Sequence, residues 1–256
     1  AYTWRMKYRE TLTPDSFYVS LKGLEQWAET TDKPMDRAVL NSLIAGIYAD
    51  YASSNRWQIR QRTNIVDEAP SSDIREWSSN MFVQQVMKYT AGSLQDTGLL
   101  LNTSSRIYIP FVKLGDTSEY YHHDMLHLLG SRGVDALNNV MGLDKDSVVQ
   151  TSVENVYLGM LDAYEKAGMD DGYVLCKLDY LNWKRNSDPT FVPYRAPQNL
   201  IGLTQDPYLA GLDKLKADFK SHDVCAEVYL AKARYAVEKQ QQVMALQICD
   251  EAIRLY

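Results

Sequence analysis

Residues 223–256, DVCAEVYLAKARYAVEKQQQVMALQICDEAIRLY, decide the fold. Apolar or small residues recur at helical spacing in two stripes, which comprise Ala226, Tyr229, Leu230, Ala233, Ala236 and Val237, then Met244, Ala245, Ile248, Cys249 and Ala252. The polar run EKQQQ at residues 238–242 is too short for anything but the turn of a helical hairpin. One hairpin cannot bury both stripes alone, so the pattern predicts a stack of helix pairs along the chain.

The first fifty residues show the same helical spacing. Thr13 and Pro14 predict a first helix that ends near Thr30. Its expected buried stripe is Phe17, Leu21, Leu24 and Ala28. Asp32 and Pro34 predict a second helix. Its apolar residues cover so much of the circumference that it should be central; they are Ala38, Leu40, Leu43, Ile44, Ile47, Tyr48 and Tyr51.

The middle of the chain contains three further signals. Residues 70–73, PSSD, predict the cap of a long helix that carries Ile74, Trp77, Met81, Val86 and Tyr89. Residues 107–114 include Pro110 and β-branched residues, which predicts a short extended piece. Asp116 or Thr117 predicts the start of a helix that Gly130 closes, and another helix is expected over residues 134–141.

The last third predicts a helix over residues 147–168, which Gly168 ends, and a partner helix over residues 170–185. Four prolines in residues 187–207 predict an irregular segment between a hairpin array (1–186) and a C-terminal hairpin unit (208–256) packed on the same array. Ala233, Ala245 and Ala252 match the small positions of a tetratricopeptide (TPR) unit of about 34 residues. We therefore predict an all-α fold of stacked antiparallel hairpins, a TPR-like right-handed array.

Composition limits the function classes. The 256 residues carry a formal net charge of −6 without long runs of either sign, which argues against nucleic acid as a partner. The basic stretch NRWQIRQR at residues 55–62 is interpreted as a solvated or ion-paired connector. No apolar run reaches the roughly 18 residues of a membrane helix. Cys176, Cys225 and Cys249 are expected to be small core residues, and the chain could be part of a longer exported protein.

Two histidines four residues apart, His123 and His127, are the sharpest candidate for chemistry. On a helix both would face one side, and in HExxH zinc peptidases a carboxylate after the first histidine activates water. Asp124 takes that place here, and no third ligand has a recognisable spacing. Further ligands would have to come from Glu154, His122 or His222. Because packing explains the segment as well, we expect no catalytic residue, cofactor or metal, with an HDxxH metal-dependent hydrolase as the alternative.

Other catalytic templates are missing from the sequence. It has no G-x-S-x-G elbow, no P-loop and no G-x-G-x-x-G. The 18 tyrosines and five tryptophans are expected to fill helix contacts, with a carbohydrate-stacking surface as the alternative.

A set of core and connector residues resembles a known family. It comprises Trp27 and the blocks LNSLIA (40–45), NRW (55–57), RT (62–63) and DIREW (73–77). In this pattern the chain resembles the helical N-terminal region of large bacterial alpha-2-macroglobulin-like proteins. The resemblance runs from about Phe17 through the HDMLHLL segment and resumes in the TPR-like tail.

The resemblance implies an exported, periplasmic or envelope-associated protein whose full-length form entraps proteases or assists envelope defence. The family's thioester segment, Cys-x-Glu-Gln, is absent, since Cys176 precedes KLD, Cys225 precedes AEV and Cys249 precedes DEA. Without the thioester segment, the resemblance implies a scaffold that contacts a protein partner or adjacent macroglobulin domains of the same polypeptide. The main hypothesis is therefore a non-catalytic helical interaction module. A carbohydrate-binding helical protein of a glycan-uptake system is a further alternative.

Overall fold

The computed structural model describes residues 14–62, 73–111, 115–121, 123–188, 191 and 206–256. Within these ranges the chain forms eleven α-helices and no strand, so the predicted all-α class is confirmed. A single isolated bridge pairs Ser104 with Asp124 in this part of the chain.

The helices are α1 (Pro14–Thr30), α2 (Pro34–Ser54), α3 (Arg56–Arg60), α4 (Ser79–Ser93), α5 (Thr97–Leu101), α6 (Met125–Asn139), α7 (Asp146–Ala167), α8 (Asp170–Ser187), α9 (Pro207–Asp218), α10 (Cys225–Glu238) and α11 (Gln242–Leu255). Three 3-10 segments, Ile74–Glu76, Ser105–Phe111 and Asp116–Glu119, lie between them.

Helix α2 is the centre of the N-terminal half, as its apolar circumference predicts. It packs against α1, α4 and α6. The stripe predicted for α1 is also confirmed, because Phe17, Leu21, Leu24 and Ala28 are all buried. The predicted cap of α1, Thr13, lies outside the described residues.

The long helix predicted from residue 73 is wrong at its start. The Asp73 side chain accepts the backbone N–H of Arg75, but it caps only the 3-10 turn Ile74–Glu76. Trp77 then adopts an extended conformation with φ −68° and ψ 138° and is buried, and α4 begins at Ser79. The backbone therefore leaves the helical conformation at Trp77, whose large ring is buried in the core.

The extended piece predicted for residues 107–114 is wrong over residues 107–111. Ser105–Phe111 forms a 3-10 helix. Proline fits such a segment, because the φ that its ring fixes lies in the range of a 3-10 helix. Residues 112–114 lie outside the described part of the chain.

The helix predicted from residue 116 to Gly130 is also wrong in its bounds. Asp116–Glu119 is only a 3-10 turn, and α6 starts at Met125. The N-cap of α6 is Asp124, whose Oδ1 accepts the backbone N–H of His127 at 2.8 Å. The helix then continues through Gly130 to Asn139, where two separate helices were expected.

A close approach between helices explains a glycine inside α6. A Cβ atom added at Gly133 would lie 2.7 Å from Cγ2 of Thr90 in α4, which is closer than side chains tolerate. Glycine at this position therefore lets α4 and α6 pack backbone to side chain, although glycine disfavours helix.

The chain divides into two compact units. The first holds α1 to α6 and the first half of α7, while the second holds the rest of α7, the Asp116–Glu119 turn and α8 to α11. Buried residues from α8, α9 and α10 share the core of the second unit, which comprises Val174, Leu175, Leu178, Leu181, Tyr208, Leu212, Leu215, Val224, Cys225, Val228, Tyr229 and Tyr235. Most of the predicted proline-rich segment, 187–207, lies outside the described residues.

The C-terminal hairpin is present as predicted, but its stripes differ. Helices α10 and α11 pack together across a turn in which Gln240 has φ 60°. Tyr229, Ala233, Ala236 and Ala245 are buried, as expected. Leu230, Val237 and Met244 are exposed, so the prediction that they lie in the buried stripes is wrong. TPR-like stacking of the hairpins stays a prediction.

Candidate functional site

The two histidines singled out by their spacing lie close together at the start of α6. His123 precedes the helix and His127 is in its first turn, with the ring centroids 4.7 Å apart. Asp124 between them is buried, and its carboxylate caps the helix. This role fixes the carboxylate on the backbone, which is unlike the position of a general base facing a metal-bound water.

No third ligand completes a metal site in the described part of the chain. Among those residues, no group of three or more His, Cys, Asp and Glu side chains could hold a metal ion. Glu154 is in α7, and Nε2 of His222 lies 3.5 Å from Oδ2 of Asp170 in the second unit. His122 lies outside the described residues.

The basic stretch at residues 55–62 binds helix ends. Nη1 and Nη2 of Arg56 donate to the carbonyls of Met141 and Asn139 at 2.5 and 2.7 Å, which satisfies acceptors at the C-terminal end of α6. Nη1 of Arg62 donates to the carbonyl of Trp77 at 2.8 Å. These two arginines thus join distant backbone segments, where a solvated or ion-paired connector was expected.

A buried carboxylate that the sequence analysis missed, Glu25, lies inside the first unit. The Tyr48 hydroxyl donates to Glu25 Oε1 at 2.6 Å, and Nζ of Lys22 is 2.7 Å from Oε2. Burial alone would raise the pKa of the Glu25 carboxyl, but hydrogen bonds from Lys22, Tyr48 and Tyr89 hold this pKa below its usual value. Burial and the same carboxylate raise the pKa values of Tyr48 and Tyr89.

Packed aromatic rings surround this carboxylate. The Trp77 ring stacks on the Tyr48 ring with the centroids 5.4 Å apart, and the Tyr89 ring also stacks on Tyr48 with the centroids 6.0 Å apart. Both Trp77 and Tyr48 are fully buried, so these rings offer no face to a solute. One sequence signal could have indicated Glu25: it lies four residues after Leu21, on the buried side of α1.

Most aromatic residues in the described part of the chain are buried or half-buried in helix contacts, as expected. Trp77, Tyr48, Tyr164 and Tyr229 are among the largest fully buried side chains. Among the described residues, the exposed rings are those of Trp27 on α1, Trp57 on α3, Tyr120 after the Asp116–Glu119 turn and Tyr256 after α11, so they do not share one element.

The C-terminal hairpin carries an exposed apolar surface. On α11, Val243, Leu246 and Ile253 are 72%, 66% and 78% exposed, and on α10, Leu230 and Val237 are 40% and 55% exposed. We call these five residues the terminal apolar face. Leu246 and Ile253 are seven residues apart, as are Leu230 and Val237, so each pair lies on one side of its helix. Single exposed apolar residues are ordinary on a protein surface, whereas several on one hairpin make it a candidate interaction surface.

The second unit also has a cleft with mostly polar and charged lining residues. This cleft has a volume of about 400 Å³ and is lined by Lys220, Gln247, Asp250, Glu251, Arg254 and Leu255. Within it, Glu251 Oε1 accepts hydrogen bonds from Lys216 Nζ and the Tyr229 hydroxyl, both at 2.9 Å. These bonds, the one from Lys216 foremost, hold the pKa of the Glu251 carboxyl below its usual value. Glu251 therefore remains an ionised structural partner.

The cysteines divide between core and surface. Cys176 and Cys225 are buried, as expected, whereas Cys249 is exposed, so its assignment to the core is wrong.

Comparison with protein-family models, with curated proteins and with solved structures gave no match. None of the described helices has both the length and the apolar character needed to cross a membrane.

Proposed function

We propose that this chain is a non-catalytic helical scaffold that holds a protein partner, or a neighbouring domain of its own polypeptide, on the terminal apolar face. The observation that carries this proposal is the exposure of Val243, Leu246 and Ile253 on α11. Large apolar side chains left in water are unfavourable unless a partner covers them.

The free energy available at this face suits protein binding. Burying one large aliphatic side chain stabilises a complex by about 1.5 to 3 kcal/mol. Five such residues exceed the low end of the estimated cost of association, which is about 4 kcal/mol. A rigid hairpin also presents them with little ordering cost, since α10 and α11 already pack on each other.

We further propose that the chain is the N-terminal part of an alpha-2-macroglobulin-like envelope protein, of the protease-inhibitor family, exported to the periplasm or cell envelope. What supports this is the sequence pattern described above, in which Trp77 is a core residue and Arg56 caps a helix. Adjacent macroglobulin domains would then be candidates for the covering partner. The HDxxH hydrolase and glycan-binding alternatives have no comparable support, because Asp124 serves as a helix cap and the buried tryptophan is in the core.

Photo-crosslinking tests the proposed scaffold role. A photoreactive phenylalanine analogue in place of Leu246 should capture one defined protein species in cells that produce the chain. The matched control carries the analogue in place of Val19, which is 69% exposed on α1 but is outside the terminal apolar face. Absence of any adduct at position 246, or equal adducts at both positions, would overturn the proposal.

A further inference from the structure

Lys177 in α8 differs from the other half-buried lysines of the described residues. Each of the others has its ammonium group paired with a carboxylate, in the pairs Lys184–Asp188, Lys216–Glu251 and Lys232–Asp213. Within the described part of the chain, no carboxylate forms such a pair with Lys177. An amine without an anionic acceptor lacks the main interaction that favours its protonated form.

An aromatic ring and a second lysine lie near the Lys177 amine instead. Its Nζ is 4.7 Å from the ring centroid of Tyr180, which is one turn further along α8. The Tyr180 ring packs against Tyr157 of α7, with the centroids 5.6 Å apart. A ring face attracts an ammonium group, but it accepts N–H groups more weakly than a carboxylate does. From α9, the positive charge of Lys214 acts on the same amine.

These surroundings favour the neutral form of the amine. Burial is the main cause that lowers the pKa of the Lys177 ammonium; Cys176 opposes this, and the charge of Lys214 lowers the pKa further. Only the neutral form of a lysine is a nucleophile, because its nitrogen then carries an unshared electron pair. Since Lys177 is half-buried and not enclosed, a small neutral molecule can still reach it.

We propose that Lys177 is a site of reversible carbamylation by carbon dioxide, with Lys214 as the cation that stabilises the carbamate. The electron pair of the neutral Nζ attacks the carbon of CO2, so a C–N bond forms and one C=O π pair moves onto oxygen. The nitrogen then loses one proton to water. The neutral amine thereby becomes an N-carboxylate with one negative charge, and the step involves no oxidant, reductant or leaving group.

The charge of Lys214 favours carbon dioxide over other electrophiles. Acyl transfer to Lys177 would leave a neutral amide, which gains little from a neighbouring cation. A carbamate instead converts two neighbouring positive charges into an opposite-charge pair. The same cation therefore favours the neutral amine before the reaction and the anion after it.

Carbon-13 NMR of the full 256-residue chain in buffer with 13C-labelled bicarbonate tests the inference. The α-amino group forms a carbamate of its own and serves as an internal reference in every variant. We expect a second carbamate signal, which grows with pH at constant CO2 pressure because more of the Lys177 amine is neutral. This signal should be lost in Lys177→Arg, since a guanidinium stays protonated.

Variants of two other lysines serve as controls. Lys184→Arg, on the same helix but at a residue paired with Asp188, should leave both signals unchanged. Lys214→Gln should reduce the Lys177 signal several-fold, because it removes the charge that lowers the pKa and that pairs with the carbamate. Lys214→Arg keeps a positive charge and should retain the signal. Unchanged far-ultraviolet circular dichroism shows that each variant is folded.

Chemical trapping gives the position of the carbamate independently. Alkylation with a trialkyloxonium reagent, followed by mass spectrometry of tryptic peptides, should place the trapped group on Lys177. A chain whose only carbamate is that of the α-amino group, or whose second signal persists in Lys177→Arg, would overturn the inference. A Lys177 signal of equal size in Lys214→Gln would overturn the part assigned to Lys214. None of these outcomes involves the terminal apolar face, so the proposed scaffold role is tested separately.

Discussion

Glu25 shows how a single charged residue can be part of a core. An isolated carboxylate in an apolar interior is strongly unfavourable, whereas one that accepts several hydrogen bonds is tolerated. Glu25 accepts from Lys22, Tyr48 and Tyr89. Because the aromatic rings around Glu25 exclude water, each of these hydrogen bonds is electrostatically stronger than it would be in solvent.

The Tyr48→Phe variant tests this role. It removes the hydroxyl that bonds Glu25 and keeps the stacked ring, so we expect the free energy of unfolding to fall by about 2 kcal/mol, the range for hydrogen bonds to charged groups. Urea denaturation measures the change. Tyr120→Phe is the matched control: the Tyr120 ring is exposed, so removal of its hydroxyl should leave the free energy of unfolding unchanged. Equal stability of the two variants would contradict the assignment.

The histidine pair gives a second residue-scale prediction. Because no third ligand joins His123 and His127 in the described residues, equimolar zinc should leave the melting temperature of the chain unchanged. His127→Ala should behave in the same way with and without zinc. A zinc-dependent rise in the wild type that is absent from His127→Ala would instead favour the HDxxH alternative.

At the scale of elements, helix α6 shows the limit of local signals. Gly130 and Asp116 are ordinary stop and start residues in sequence, yet α6 starts at Met125 and continues through Gly130 and Gly133. Asp124 supplies the cap, and contact with α4 explains why Gly133 is tolerated. Helix type was predictable from spacing, while the bounds depended on neighbours that are distant in sequence.

Gly133→Ala tests that contact. Alanine gains up to about 1 kcal/mol of helix propensity, but its Cβ would collide with buried Thr90, which costs about 1 to 3 kcal/mol. We therefore expect net destabilisation in thermal unfolding.

Two further variants control this experiment. Gly159→Ala in α7, where an added Cβ meets nothing within 4 Å, should stabilise the chain by up to about 1 kcal/mol. Thr90→Ala combined with Gly133→Ala should recover part of the loss. If Gly133→Ala and Gly159→Ala changed the free energy of unfolding in the same direction, close packing would not be the reason for glycine at position 133.

For the whole molecule, proton binding links the carboxyl groups to stability. The pKa values of Glu25, Asp73 and Glu251 are lowered by hydrogen-bonded cations and hydroxyls, whereas burial raises that of Glu227. A lowered pKa gives stability that is present above the unfolded value of about 4.3 and is lost as the pH falls through the folded value. Asp73 and Glu251 are solvent-screened, so the buried Glu25 should dominate.

We therefore expect the urea midpoint of the wild type to fall between about pH 5 and pH 3. Glu25→Gln should have a lower midpoint at neutral pH and a flatter pH dependence, since its side chain cannot ionise. A wild-type midpoint that rises on acidification would mean that Glu227 dominates. If the urea midpoints of the wild type and of Glu25→Gln depended on pH in the same way, Glu25 would not be the cause of the acid destabilisation.

The sequence by itself determined the helical class, most helices, the centrality of α2 and the C-terminal hairpin, because these follow from apolar spacing within one segment. Only the tertiary structure decided which stripes are covered. Leu246 and Ile253 belong to an apolar helix, but helix α10 covers the side with Ala245 and leaves them exposed. Two of the three hydrogen-bond donors to Glu25, Tyr48 and Tyr89, likewise lie on other helices, α2 and α4. Burial depends on contacts between segments far apart in the chain, and periodicity within one helix does not contain that information.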